Sequence, residues 1–124
     1  MIKITQKQID YFNKVIKEEQ ENHIKKWLRE DPLQFTCPAC AVSDKIQENF
    51  IPKKYGICAF CPLDWGELEE FRIYNYMCER EGTLYSQYLK TISPTIALKI
   101  TERQFMPVEE ILEKAKIKFK IIED

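Results

Sequence analysis

The chain has 124 residues, 44% hydrophobic and 31% charged, which is the make-up of one globular domain and excludes a disordered or low-complexity chain. Lys plus Arg is 19 and Asp plus Glu is 20, so the formal charge is -1 and no global positive field points to nucleic acid. No apolar run approaches the roughly 18 residues of a membrane span, and residues 1–6 lack a signal-peptide core, so the expected setting is cytoplasmic, with reduced thiols.

Thr5-x-x-Gln8 is a capping box and opens the first predicted helix. Ile9, Phe12, Ile16, His23, Ile24, Trp27 and Leu28 follow at helical spacing, and Lys14, Lys17, Glu18, Glu21 and Lys25 take the other side. Asp31-Pro32 ends the pattern, because a residue before proline is pushed out of the α region. A helix of about 25 residues is roughly 37 Å long. That length suggests that one end projects or pairs with a second copy of the chain.

Residues 33–62 change character and are read as loops and short strands. Asp64-x-x-Glu67 starts a second predicted helix, carrying Leu68, Phe71 and Cys78, with Gly82 as its C′ stop. A strand over Phe71–Met77 is the competing reading. Thr83 caps a short helix with Tyr85, Tyr88, Leu89 and Ile92. Ser93-Pro94 starts another, running to about Arg103, and Pro107 a third, with Val108, Ile111, Leu112 and Ala115 on its apolar face. The alternating tail 116–121 reads as an edge strand.

Cys37-Pro38-Ala39-Cys40 and Cys58-Ala59-Phe60-Cys61 are two C-x-x-C pairs with 17 residues between them. Two such knuckles supply four thiolates to one tetrahedral Zn²⁺ and leave no open position, so the expected site is structural rather than catalytic. An iron–sulfur cluster uses the same four residues. A redox C-x-x-C requires a thioredoxin-like βαβ setting that the pattern lacks. Pro62 suits the first turn of a helix, which places Cys58 and Cys61 at the start of the 64–81 helix, as in a treble clef. A zinc ribbon, with both knuckles on hairpins, is the alternative.

Four thiolates and one Zn²⁺ take the formal charge from -1 to about -3. Cys78, on an apolar face, reads as a buried small hydrophobe, and His23, the only histidine, as a core residue. With no phosphate loop, nucleophile elbow or metalloprotease motif, no catalytic residue is assigned and no enzyme is expected. Lys53, Lys54 and Tyr55 between the knuckles are either a solvated turn or a contact for single-stranded nucleic acid. Tyr74, Tyr76, Tyr85 and Tyr88 are either a protein-contact surface or the lining of a small core.

Trp27, Cys37-Pro38-Ala39-Cys40, Cys58-Ala59-Phe60-Cys61-Pro62, Cys78 and Thr83-Leu84-Tyr85 together resemble a group of small uncharacterised proteins of bacteriophages and their bacterial hosts. Leu84 stands where that group has proline. The resemblance implies a phage-like context, in which small proteins commonly bind and inhibit a host protein such as a defence nuclease.

The expected architecture is therefore mostly α (α+β) in a single domain, 1–124. It comprises an N-terminal helix (1–31), a treble-clef-like or zinc-ribbon-like module with a short β-hairpin (32–66) and a helical C-terminal part (67–124). The expected role is a protein-binding module, with nucleic-acid binding as the alternative.

Overall fold

A computed structural model of the chain describes residues 2–30, 32, 37–50, 60–63 and 83–123. The described residues form five helices and two strands: β1 (Ile2–Thr5), α1 (Gln6–Trp27), α2 (Pro38–Phe50), α3 (Leu84–Lys90), α4 (Pro94–Thr101), α5 (Val108–Lys114) and β2 (Phe119–Ile122). The protein is mostly helical, as its composition of amphipathic segments requires.

The capping box forms as the sequence predicts. Thr5 Oγ1 accepts from the Gln8 N–H at 3.1 Å, and Gln8 Oε1 accepts from the Thr5 N–H at 2.8 Å. The helix stops earlier than expected, with Leu28 as its C-cap. Buried residues run from Ile9 to Trp27, so α1 is covered by its own chain along most of its length. Leu28, assigned to the apolar face, is exposed.

The residues before Thr5 are a strand that the sequence reading did not separate from the cap. β1 pairs with β2 in parallel, Ile2 opposite Phe119 and Thr5 opposite Ile122. The tail strand thus closes the end of the chain against its beginning, and Ile4 is fully buried beneath the pair.

Helix α2 is the main departure. Loops and short strands are expected over 33–62, yet a 13-residue helix begins at Pro38. Proline at the first helical position has its φ preset and needs no N–H partner there. Ala39, Val42, Ser43 and Ile46 then recur at helical spacing and are all buried. The first knuckle therefore opens a helix rather than a hairpin.

The C-terminal helices sit close to their predicted starts. Thr83 Oγ1 accepts from the Ser86 N–H at 3.1 Å, and Ser93 is the N-cap of α4 ahead of Pro94. Pro107 is the N-cap of α5 rather than its first helical residue. The predicted helix over 64–81 and the alternative strand over 71–77 lie outside the described residues.

Two apolar clusters hold these elements. The larger joins Ile9, Phe12 and Ile16 of α1 to Ala39, Val42 and Ile46 of α2 and to Val108, Ile111 and Leu112 of α5, with Phe60 and Leu63 inserted. The smaller joins Trp27 to Tyr88, Ala97 and Ile100. Burying each large aliphatic chain contributes about 1.5–3 kcal/mol, so α1, which packs on α2, α4 and α5, organises both.

Candidate metal centre

Cys37 directly precedes α2, and Cys40 lies in that helix's first turn. The Ala41 N–H closes the first helical turn on the Cys37 carbonyl at 3.1 Å. This local geometry follows from Pro38, which fixes the turn between the two cysteines. The Cys40 thiol donates to the Cys37 sulfur, and so do the backbone N–H groups of Cys40 and Ala39. These donors stabilise a thiolate. Chiefly through the Cys40 side chain, and against an opposing effect of burial, they bring the Cys37 thiol down from 9.0 to about 6. The Lys26 ammonium on α1 acts in the same direction.

The second knuckle is partly described. Phe60 is buried, and its N–H donates to Ser43 Oγ at 3.3 Å. Ser43 stands one turn beyond Cys40 on α2, where residues three apart are neighbours. The Pro62 carbonyl accepts from the Met106 N–H at 2.8 Å. Cys61, between these two anchors, is half-buried against the same core cluster as Cys37. The knuckle is therefore strapped to α2 on one side and to the segment before α5 on the other. Cys37, Cys40 and Cys61 are thiols outside any disulfide. Among the described residues, no group of three or more His, Cys, Asp or Glu side chains is placed to hold a metal ion. Cys58, the fourth expected ligand, lies outside the described residues, as do Cys78, Lys53, Lys54, Tyr55, Tyr74 and Tyr76.

Tyr85 and Tyr88 are turned inward. Tyr88 is 4% exposed and meets Trp27 edge-on at 5.2 Å, and half-buried Tyr85 meets the same indole at 5.8 Å. Of the two readings of these tyrosines, the core lining is what the structure displays. His23 is also a core residue, 1% exposed, with Nε2–H donating to the Ile100 carbonyl at 3.1 Å.

Two features went unread in the sequence. Lys26 is 6% exposed, its ammonium 5.2 Å from the Trp27 ring centroid. It lines a cavity of about 280 Å³ with Glu19, Asn22, Lys25, Arg29, Pro38 and Ala41. A lysine one residue before the apolar Trp27, on the His23 side of the helix, is the signal that could have found it. The second is a pair of amides on α1. Asn13 Oδ1 accepts from the Val108 N–H at 2.8 Å, and Gln20 binds both the Arg103 carbonyl and the Phe105 N–H.

Cysteine pairs at this spacing suit Zn²⁺, and a thiol already held toward its ionised form suits it further, because the thiolate is the ligand. Three of the four expected donors, Cys37, Cys40 and Cys61, are thiols among the described residues, which is the ligand chemistry such a metal takes. Among the described residues no helix is long and apolar enough to cross a membrane. No family model, curated protein or solved structure matches the chain.

Proposed function

We propose that this chain is a small protein-binding module organised by a structural Zn²⁺ at Cys37, Cys40, Cys58 and Cys61. The observation that carries the reading is the Cys37–Cys40 pair at the start of α2, with the Cys37 sulfur receiving three donors. Cys37 and Cys40 stand together at the start of one helix, and Cys61 follows Phe60, whose N–H is bonded to Ser43 on the next turn of that helix, which supports the reading. Four thiolates close the shell, so the metal would join the start of α2 to the second knuckle and perform no reaction.

A binding role rests on the surface left by this arrangement. Ile92 is 71% exposed at the turn between α3 and α4, and Leu89 and Leu98 on those helices are exposed as well. Exposed aliphatic side chains on neighbouring short helices suit a protein partner better than a polyanion. The resemblance to phage proteins supplies the class of partner, a host protein such as a defence nuclease.

Elemental analysis of the purified full chain tests the metal, with one equivalent of zinc expected and its loss in C37S and C61S variants. Zinc well below one equivalent, with iron also absent, overturns it. Crosslinking in host lysate tests the binding role, with capture expected from the native chain and lost when Ile92 and Leu98 become Asp. A steep salt dependence of binding to single-stranded DNA would instead favour phosphate contacts.

A further inference from the structure

We propose that the cavity between the last turns of α1 and the first turn of α2 is an anion site for a phosphate dianion, free or as the monoester of a small molecule, with Lys26 as its main ligand. The inference does not rest on the metal reading. Pro38 and Ala41 line the cavity from α2, and each is one residue on from a cysteine, which is about 100° round the helix.

Lysine is almost never fully buried unless its charge is answered. Lys26 is 6% exposed, while its neighbour Lys25 is exposed. The Trp27 ring centroid lies 5.2 Å from the Lys26 ammonium and supplies no negative charge. Among the described residues no oxygen accepts a hydrogen bond from that ammonium. Glu19, the carboxylate of the same cavity, stands two turns back along α1, about 10 Å by the helix rise. Its Oε1 accepts from the Asn22 Nδ2–H at 3.1 Å. A nine-tenths buried cation therefore borders the cavity with no anion of its own.

The surroundings add to its charge. Helix α2 presents its positive dipole end to the cavity, and its first turn carries no acidic residue to meet it. Lys25 and Arg29 line the same space, so three cations face one carboxylate, a net of +2. The negative end of α1 offsets about half a charge. The remaining excess calls for an anion of more than one charge, which favours a phosphate over a carboxylate. Arg29 adds a planar fork of donors suited to phosphate oxygens, and Lys26 a point charge. At about 280 Å³, the cavity falls just short of the roughly 300–1,000 Å³ of sites for drug-sized ligands. It therefore suits a phosphate with a small substituent rather than a large cofactor.

The test is isothermal titration of the full chain with inorganic phosphate, glycerol 3-phosphate and acetate, at constant ionic strength and about pH 8, where a phosphate monoester is a dianion. Saturable binding of phosphate is expected, about tenfold or more tighter than acetate. Tighter binding of glycerol 3-phosphate than of inorganic phosphate marks a monoester as the ligand, and equal binding marks the free ion. K26M and K26Q are expected to bind about tenfold or more weakly, and K25M to lose less. Circular dichroism checks the fold of each variant. In isotope-labelled wild type, which needs no substitution, phosphate is expected to shift the amide resonances of residues 22–29 and 39–41. No saturable binding of either phosphate, wild-type affinity in folded K26M and K26Q, or resonance shifts confined to other residues overturns the proposal. Acetate binding as tightly as phosphate overturns the choice of a dianion.

Discussion

His23 on α1 and Ile100 on α4 are joined by a buried hydrogen bond of 3.1 Å, from the imidazole Nε2–H to the carbonyl oxygen. A carbonyl only accepts, so Nε2 carries a proton. Nδ1 is buried and, among the described residues, has no hydrogen-bond partner. The Phe105 ring lies 5.0 Å away, and burial favours the neutral imidazole.

Protonating that ring is unfavourable, and its pKa lies below 6.5. Burial is the main cause, the Ile100 bond opposes it, and the Lys26 charge adds to it. The unfolded chain therefore takes up this proton first. The stabilising contribution is complete above about pH 6.5 and shrinks as pH falls below it toward the folded-state value. Urea denaturation from pH 7.5 to 5.5 should show wild type losing stability faster than H23Q. The difference in slope is at most about 1.4 kcal/mol per pH unit. Parallel profiles would remove His23 from the pH response.

Asn13 caps a helix to which it does not belong. Pro107, the N-cap of α5, has no side-chain acceptor, and Asn13 supplies one to the Val108 N–H while its own Nδ2–H donates to Glu109 at 3.2 Å. N13A leaves that N–H unanswered and should cost about 1–2 kcal/mol in chemical denaturation. N13D keeps the acceptor but sets a carboxylate against Glu109, so its loss should be smaller than that of N13A yet measurable.

Lys116 has a φ of 60°, the left-handed region that glycine enters without penalty. It follows the C-cap of α5. The bonds from Lys116 N–H to the Glu113 carbonyl and from Ile117 N–H to the Leu112 carbonyl form a Schellman motif. K116G should therefore stabilise the protein, by about 0.5–1 kcal/mol, read as a rise in the urea midpoint. K116V should do the opposite.

Cys37 should be reactive in the metal-free chain. With its thiol at about 6 rather than 9.0, alkylation by iodoacetamide should reach half its maximal rate near pH 6, with Cys37 identified by peptide mass spectrometry. C40A removes the main donor and should move that midpoint upward. Adding Zn²⁺ should suppress the reaction at Cys37 and Cys40 together.

The local signals were the readable ones. Thr5 and Gln8, Thr83, and Ser93 with Pro94 each act within one helical turn, so residue type and spacing suffice to place those helix starts. The apolar faces of α1 and α5 were equally plain. Helix α2 was missed because its face is short, Ala39, Val42 and Ile46, and its Pro38 belongs to a motif that also reads as a knuckle. Four residues of β1 carry too little pattern to announce a strand whose partner is over a hundred positions away.

What the sequence by itself determined is the set of chemical groups: two cysteine pairs at metal-binding spacing, helix caps, amphipathic faces and a near-neutral charge. Those properties depend on residue type and near neighbours. Only the tertiary structure decided that Cys37 and Cys40 sit at the start of a helix, that Tyr88 packs on Trp27, and that Asn13 serves α5. It also decided that Lys26 is buried against Trp27 while its neighbour Lys25 stays exposed. Burial and charge compensation arise between segments far apart in the chain, and no local pattern encodes which surface of α1 will meet α2.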